Sequence, residues 1–504
     1  MTALNQDMLM YSLGIDLGTS SVKVAIVELE SRKCVCNAQF PDIEAPLKSL
    51  QPGWAEQDPE DWWRYTQQAI RRTVNARKID ASAIAAIGIS YQMHGLVLVD
   101  SRQQVLRDSI IWCDSRAVQI GDEALSALGS AYQHHHLLNS PGNFTASKFA
   151  WVKRNEPQVY AAANKMMLPG DFIAMKLTGA CTTTVPGLSE GIFWDFKTGT
   201  VSEPVMRYFG FDGDVLPEIR PVFSEHGLLD AGVADLLGLR AGIPVSYKSG
   251  DQPNNALSLN VMKPGAVAAT AGTSGVIYGV SDQLSTDPLS RINTFAHVNH
   301  RQDQIRTGVL LCINGTGSMY RWARDNFAPG TAYSELNRIA ATAAAGSRGL
   351  YVFPFGNGAE RMLGNRSTGA RLSGIDLNLH GQKEIFRAVH EGIVFAFRYG
   401  LDIMKASGLK PAVIRAGHAN LFQSKLFAQT FVDVTGVPVE LFANDGSVGA
   451  AIGAAIGAGL YSSEEDAFAG IEPLCTLDPQ VHAGYEPLYQ QWKAILENEI
   501  ESTL

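Results

Sequence analysis

Apolar positions in this chain follow two different periods. From Tyr11 to Val27 nearly every residue is apolar or small except at the interruption Gly18-Thr19-Ser20-Ser21, a pattern that predicts two strands joined by a turn. Cys34 to Phe40 predicts a third strand. Pro59-Glu60-Asp61-Trp62-Trp63 then opens a helix, with proline in the first turn, where no intrahelical N–H is needed, and acids at the positive end of the helix dipole. Ile84 to Ser90 and Leu96 to Val99 alternate as strands, and helical and strand segments alternate thereafter. That order predicts an α/β class rather than a sandwich or a bundle.

The opening pattern recurs. Gly265 to Tyr278 again reads strand, Gly272-Thr273-Ser274 turn, strand, and matches Gly14 to Val24 in order and residue type. A repeat within the same frame at the start of each half predicts a duplicated architecture with a boundary near 245–255. Glu384 to Met404 has helical periodicity, Val413 to Gly417 is a short strand entering a loop, and Gly446 to Leu460 is a helix of small residues. The expected domains are residues 11–248, residues 249–462 and a helical extension over 463–504. A length of 504 residues agrees, because one hydrophobic core does not grow that large.

Composition narrows the functional classes. The apolar share of 46% is that of a globular protein, and the net charge is −9. Basic clusters such as Arg71-Arg72 and Lys153-Arg154 are too short to track a phosphate backbone, so no nucleic-acid partner is expected. No apolar run reaches the roughly 18–20 residues that span a bilayer, and the first ten residues lack the charged-then-apolar order of a signal peptide. A soluble, cytoplasmic protein without a membrane partner is expected. The six cysteines form no CxxC pair and read mostly as small reduced core residues. His134-His135-His136 has no Cys/His partner at metal-site spacing and reads as a loop or helix surface.

Candidate chemistry lies in the turns. A strand-to-strand turn of Gly, Thr and Ser brings backbone N–H groups close to an anion, and its hydroxyls add donors. Alone, either turn is also an ordinary hairpin. Two of them, Gly18-Thr19-Ser20 and Gly272-Thr273-Ser274, could grip one polyphosphate. Asp16 stands two residues before the first, where a carboxylate would repel phosphate unless a divalent cation lay between them, which implies Mg2+. Neither turn fits GxxxxGK[ST] or a dinucleotide fingerprint. In Lys248-Ser249-Gly250-Asp251-Gln252-Pro253-Asn254-Asn255 an apolar strand, Ile243 to Tyr247, runs into a polar loop. There Asp251 could take a proton from a hydroxyl and Gln252 could bond sugar hydroxyls; equally, Asp251 could cap the next helix. Gln92-Met93-His94-Gly95 would suit a polyol with one apolar face, and Trp112-Cys113-Asp114-Ser115-Arg116 fits either a cleft wall or a buried structural cluster.

Taken together, these segments resemble the FGGY carbohydrate kinases and, among them, the xylulokinases. The resemblance runs from Gly14-Ile15-Asp16-Leu17-Gly18-Thr19-Ser20-Ser21-Val22-Lys23 to Gly446-Ser447-Val448-Gly449-Ala450-Ala451. It passes through Trp54-Ala55-Glu56-Gln57-Asp58-Pro59, Gln92-Met93-His94-Gly95, Phe144-Thr145-Ala146-Ser147-Lys148, Gly250-Asp251-Gln252, Ala271-Gly272-Thr273-Ser274-Gly275 and Ala388-Val389-His390-Glu391-Gly392. It implies two ribonuclease-H-like, actin-type ATPase domains around a central cleft that holds ATP and Mg2+, with the sugar bound mainly by the N-terminal domain. It further implies that Asp251 is the catalytic base, that Asp16 is required beside metal and phosphates, and that Met93 and His94 contact the ketose with Gln252. Thr273 matches a phosphate-contacting residue, and Gly317 and Gly417 match nucleotide-binding glycines. Gly18, Thr19, Ser20, Lys23, Gly272 and Asn420 complete the expected nucleotide contacts.

The implied reaction is ATP-dependent phosphorylation of a five-carbon ketose at its terminal hydroxyl, D-xylulose to D-xylulose 5-phosphate; the chain is compatible with a homodimer. Two features depart from the xylulokinase pattern. Gln252 follows Asp251 where asparagine is usual, as in the glycerol kinases, and the adenosine loop Ala416-Gly417-His418-Ala419-Asn420-Leu421-Phe422-Gln423-Ser424 is longer than the family's usual run. Alternatives are a kinase for L-ribulose, another ketose, glycerol or gluconate, and a non-kinase ATPase of the actin-like class. A non-kinase has no need for Asp251, Gln252, Met93 and His94 at one site.

Overall fold

The computed structural model describes residues 9–76, 79–443, 445–480 and 484–502. They divide into two compact units, one made of residues 9–260, 295–306 and 445–471, the other of residues 261–294, 307–443 and 472–502.

The first unit is built on five strands: β1 (Tyr11–Leu17), β2 (Val22–Glu28), β3 (Cys34–Phe40), β4 (Ile84–Tyr91) and β5 (Val245–Gly250). Their order is β5-β4-β1-β2-β3, with β1, β2 and β3 antiparallel and β4 and β5 parallel to β1. Helix Pro59–Ala76 lies on β2 and β3 and buries Trp62, Tyr65, Thr66, Ala69, Ile70 and Thr73, a stripe at helical spacing. Helix Gly446–Gly457 lies against β1, β2, β4 and β5. Its approach is close because β1 and β4 carry Gly14 and Gly88, where a Cβ would overlap the carbonyl oxygens of Ser447 and Ala450. Small residues on both surfaces let two backbones meet, and van der Waals contact replaces side-chain interdigitation.

Six strands of a seven-stranded sheet lie wholly in the second unit: β6 (Ala266–Ala271), β7 (Gly275–Ser281), β8 (Thr307–Ile313), β9 (Val413–Gly417), β10 (Val439–Phe442) and β11 (Cys475–Leu477). They run β8-β7-β6-β9-β10-β11. The stretch β8-β7-β6-β9-β10 repeats β3-β2-β1-β4-β5 in order and direction. The duplication read from two Gly-Thr-Ser turns is thus a duplication of topology, with each turn joining the first two strands of its sheet. Helix Gln382–Ala406 is buried along most of its length. Within it Glu391 accepts hydrogen bonds from the Gly346 N–H (3.0 Å), the Ser347 hydroxyl (3.0 Å) and Arg387 Nε (2.8 Å), so the Ala388–Gly392 motif holds the core together.

Several expectations change in detail. Helix Gly446–Gly457 packs with the first unit, so the limits at 248 and 462 do not coincide with the compact units. The polar loop expected after Tyr247 is instead the end of β5 followed at once by helix Asp251–Ser258. Lys248 is buried there, its ammonium bonded to Asp171 (2.7 Å) and to the Thr182 carbonyl (2.5 Å). Cys34, Cys113, Cys312 and Cys475 are exposed rather than buried, and Cys34 and Cys475 lie on the edge strands β3 and β11. His134–His136 forms part of a π-helical turn in which His136 Nδ1 meets Asp195 (2.8 Å). Among the described residues no helix is long and apolar enough to cross a membrane.

Candidate active site

In the first unit the β1–β2 connection brings the first set of candidate residues together. Asp16 lies near the end of β1 opposite Lys23 on β2. Its Oδ1 accepts the Ser90 hydroxyl from β4 at 2.8 Å. Gly446, at the start of its helix, leaves room for this carboxylate, since a Cβ there would lie 2.5 Å from Asp16 Oδ2. Burial raises the Asp16 pKa above the ordinary aspartate value; the Ser90 bond opposes this, Asp445 adds to it, and Lys23 opposes it. Half-buried at a strand end, the Asp16 carboxylate offers oxygen donors suited to a hard cation. Among the described residues no group of three or more His, Cys, Asp or Glu could hold a metal ion, so a bound Mg2+ would take most of its oxygen ligands from phosphate and water.

The turn itself is anchored through side chains. The Thr19 hydroxyl donates to Gln92 Oε1 (3.0 Å) and accepts from Trp112 Nε1 (2.9 Å). Gln57 Nε2 donates to the Thr19 carbonyl (2.8 Å), while Gln57 Oε1 accepts from Trp62 and Gln92, each at 3.1 Å. The Thr19 hydroxyl proton is therefore committed within the protein. Trp112 stands half exposed over this turn, whereas Asp114 and Arg116 are buried and ion-paired, Arg116 lying 3.7 Å from the Trp54 ring.

Asp251 follows β5 directly as the first residue of its helix, with Gly250 as the cap, so it does not occupy the capping position. Burial pushes its pKa up to about 7, with the Asp16 charge adding and the Gln252 amide, 3.3 Å from Oδ2, opposing. A carboxylate poised near neutrality suits a general base. Met93 is buried against the same strand end: a Cβ on Gly250 would lie 2.5 Å from Met93 Cγ and 2.9 Å from Glu190 Oε2. His94 takes the left-handed conformation (φ 63°), with its ring 4.7 Å from Phe144 and 5.4 Å from Phe295. Met93, His94 and Asp251, with Gln252 beside it, thus meet around Gly250 and Glu190.

Two charged residues at this place were not singled out from sequence. Glu190 ends the short helix Val185–Glu190, and its Oε1 accepts the His94 N–H at 3.3 Å. Lys148, fully buried, donates from Nζ to the carbonyls of His94 (2.8 Å) and Ile111 (3.0 Å). Burial lowers the Lys148 pKa to about 7 and raises that of Glu190 well above the carboxylate range. In the sequence Glu190 is a lone charge inside an otherwise small or apolar run, Pro186–Phe193, and Lys148 closes the Phe144–Lys148 segment of the family resemblance with no role of its own read for it.

The second unit holds a cavity of about 630 Å³ lined by Gly272, Thr273, Gly317 and Asn420, together with Tyr320, Arg321, Tyr333 and Gln423. Helix Gly317–Phe327 is docked onto the turn, since the N–H groups of Gly317 and Ser318 bond the carbonyls of Gly272 (2.8 Å) and Thr273 (3.1 Å). Only glycine fits at 317, because a Cβ would meet the Gly272 carbonyl. Asn420 has φ 52° and reaches the cavity from the lengthened loop. Gly417 ends β9 and is outside the lining; Ala419 to Leu421 occupy that wall.

Known proteins resemble this chain over nearly its whole length. The N-terminal domain of the FGGY family of carbohydrate kinases matches residues 11–258, and its C-terminal domain matches residues 267–460. Xylulose kinase of Escherichia coli (strain K12) is 28% identical, covering 95% of this chain and 98% of its own. The crystal structure of xylulose kinase from Rhodospirillum rubrum superposes with a TM-score of 0.85 at 26% identity, over 97% of this chain and 98% of that one. Gluconate kinase from Lactobacillus acidophilus shares the fold, with a TM-score of 0.88 at 23% identity over 98% of both chains. This chain belongs to the FGGY family of carbohydrate kinases and is an ATP-dependent sugar kinase.

Proposed function

We propose that the substrate is a five-carbon ketose, D-xylulose, phosphorylated at its terminal hydroxyl to D-xylulose 5-phosphate in the presence of Mg2+. The observation that carries this reading is the cluster of Met93, His94 and Asp251 with Gln252 around Gly250: a sulfur and an imidazole for one face of a polyol, and a base and an amide for its hydroxyls. The names of two relatives, both xylulose kinases, support the same sugar.

Phosphoryl transfer asks little covalent help of a protein and depends on alignment and charge. Asp251 orients the attacking hydroxyl and accepts its proton as that oxygen bonds to the γ-phosphorus and the bond from this phosphorus to the bridging oxygen breaks, releasing ADP. The cavity at Gly272 and Thr273 binds the nucleotide, and the turn after Asp16 offers N–H donors to an anion. Asp16 would hold Mg2+, which when bound neutralises phosphate charge. D-Xylulose is expected to give the highest kcat/KM in a coupled ADP-release assay over pentoses, polyols and aldonates, because each misplaced hydroxyl leaves a buried polar group unpaired. If glycerol, gluconate or L-ribulose exceeded it tenfold, the sugar would be reassigned within the same kinase class.

For the nucleotide, Thr273→Val keeps the shape of the side chain and removes its hydroxyl. It is expected to raise the KM for ATP or to lower kcat while leaving the affinity for sugar alone unchanged. Calorimetric titration of each ligand separates the two effects, and a variant with wild-type ATP kinetics would remove Thr273 from the nucleotide site.

A further inference from the structure

We propose that Glu190 is a positioning residue for the sugar site, holding the His94 main chain in the conformation that aims its imidazole at the substrate. The inference rests on the reading of Met93, His94, Asp251 and Gln252 as the sugar-binding group. His94 is not glycine, yet it sits at φ 63°, a conformation that side chains with a Cβ rarely adopt and that surrounding structure must enforce. Two buried polar side chains hold the main chain of this one residue through its two flanking peptide groups. Glu190 Oε1 takes the N–H at 3.3 Å and Lys148 Nζ takes the C=O at 2.8 Å.

The same short helix also braces the ring. Ser189, beside Glu190, accepts the Ala296 N–H at 2.9 Å and so holds the segment whose Phe295 packs on the His94 imidazole. The second oxygen of Glu190 faces Gly250, where a Cβ would come within 2.9 Å of it, so glycine before Asp251 leaves room for this carboxylate. Glu190 thus spans from the His94 peptide to the strand end that presents the base, and it is 2% exposed. Burial pushes its pKa well above the usual carboxylate range, with the His94 N–H bond opposing, the charges of Asp251 and Asp171 adding and Lys148 opposing. An amide of the same shape keeps an oxygen acceptor, and a thioether of similar size removes it.

The test compares Glu190→Gln with Glu190→Met by calorimetric D-xylulose binding and by steady-state kinetics. Glu190→Met takes this acceptor from the His94 N–H and is expected to raise the sugar KM and Kd roughly tenfold, with the KM for ATP within about twofold of wild type. Glu190→Gln keeps an oxygen acceptor and is expected to restore both sugar constants to within about threefold. In a double-mutant cycle with His94→Ala the loss from Glu190→Met should vanish, because it acts through His94. A folded Met variant with wild-type sugar affinity, or a loss that persists in full without the imidazole, overturns the proposal. If the Met variant does not fold, the Gln variant decides: a tenfold loss of sugar affinity in that folded variant overturns it, and preserved affinity supports it. A wild-type enzyme that neither binds nor phosphorylates any pentose ketose would instead sink the substrate reading, an outcome visible before any variant is made.

Discussion

Asp251→Asn is expected to lower kcat by at least about two decades, since general-base contributions run to roughly 10²–10⁴-fold. Asparagine matches the size of aspartate and can still bond a hydroxyl, but it can neither take the proton nor carry the charge that aligns the nucleophile. Affinities for sugar and ATP should change far less, which calorimetry on a folded variant would show. Retention of more than about a third of wild-type kcat would remove Asp251 from the role of base. The same residue predicts a pH profile. Because burial lifts its pKa to about 7, kcat/KM for sugar should fall on the acid side with a midpoint above that of an ordinary aspartate, and Asp251→Asn should lose this limb.

The burial that tunes Asp251 also has a cost in stability with a definite sign. A carboxyl whose folded pKa lies above its unfolded value binds more protons in the folded state, so ionisation opposes folding. That penalty grows as pH rises from about 4 to about 7 and is complete above it. The ligand-free Asp251→Asn protein should therefore melt above wild type at pH 8, with the difference shrinking toward pH 5. A kcat loss accompanied by a lower Tm at pH 8 would point to damaged folding rather than to a lost base.

What the sequence made legible was local. Asp16, Thr273 and Asp251 each sit where a strand ends in a turn or helix start, and such junctions are read from a few adjacent residues. The duplicated Gly-Thr-Ser frame announced two sheets of one topology because the repeat preserved the first hairpin of each. What stayed hidden depends on distant partners. Lys248 looked like loop polarity, yet Asp171 and Thr182 neutralise and bond it inside the fold. The Thr19 hydroxyl looked free for phosphate, yet Gln92, seventy-three residues away, takes its proton. Helix Gly446–Gly457 was assigned to the second half by its place in the chain, but a surface of glycine and alanine has no side-chain pattern to say which sheet it fits. The answer lay in Gly14 and Gly88 on strands hundreds of residues earlier. Glu190 and Lys148 were given no role for a related reason: a charge gains meaning only when its partner, here the His94 main chain, is brought to it.

Asp16→Asn is the second substitution from which a large effect is expected, on the order of 10²-fold in kcat. The amide keeps an oxygen for the Ser90 hydroxyl and preserves volume beside Gly446, so local packing should survive. What it removes is the negative charge that would hold Mg2+ close to the phosphates, and a metal's stabilisation of charge in such a reaction amounts to several kcal/mol, each 1.36 kcal/mol being about a tenfold change in rate. Sugar affinity without nucleotide should stay near wild type, because Met93, His94 and Gln252 are untouched, whereas the Mg2+ concentration for half-maximal rate should rise. Loss of this charge also relieves Asp251 of a neighbour that raises its pKa, so the acid limb of any residual activity should move to lower pH. Titrating Mg2+ at fixed ATP, at several pH values, reads both effects at once. A variant whose kcat and metal dependence stay within about threefold of wild type would show that Asp16 does not hold the metal, and its buried charge beside Ser90 and Gly446 would need another partner.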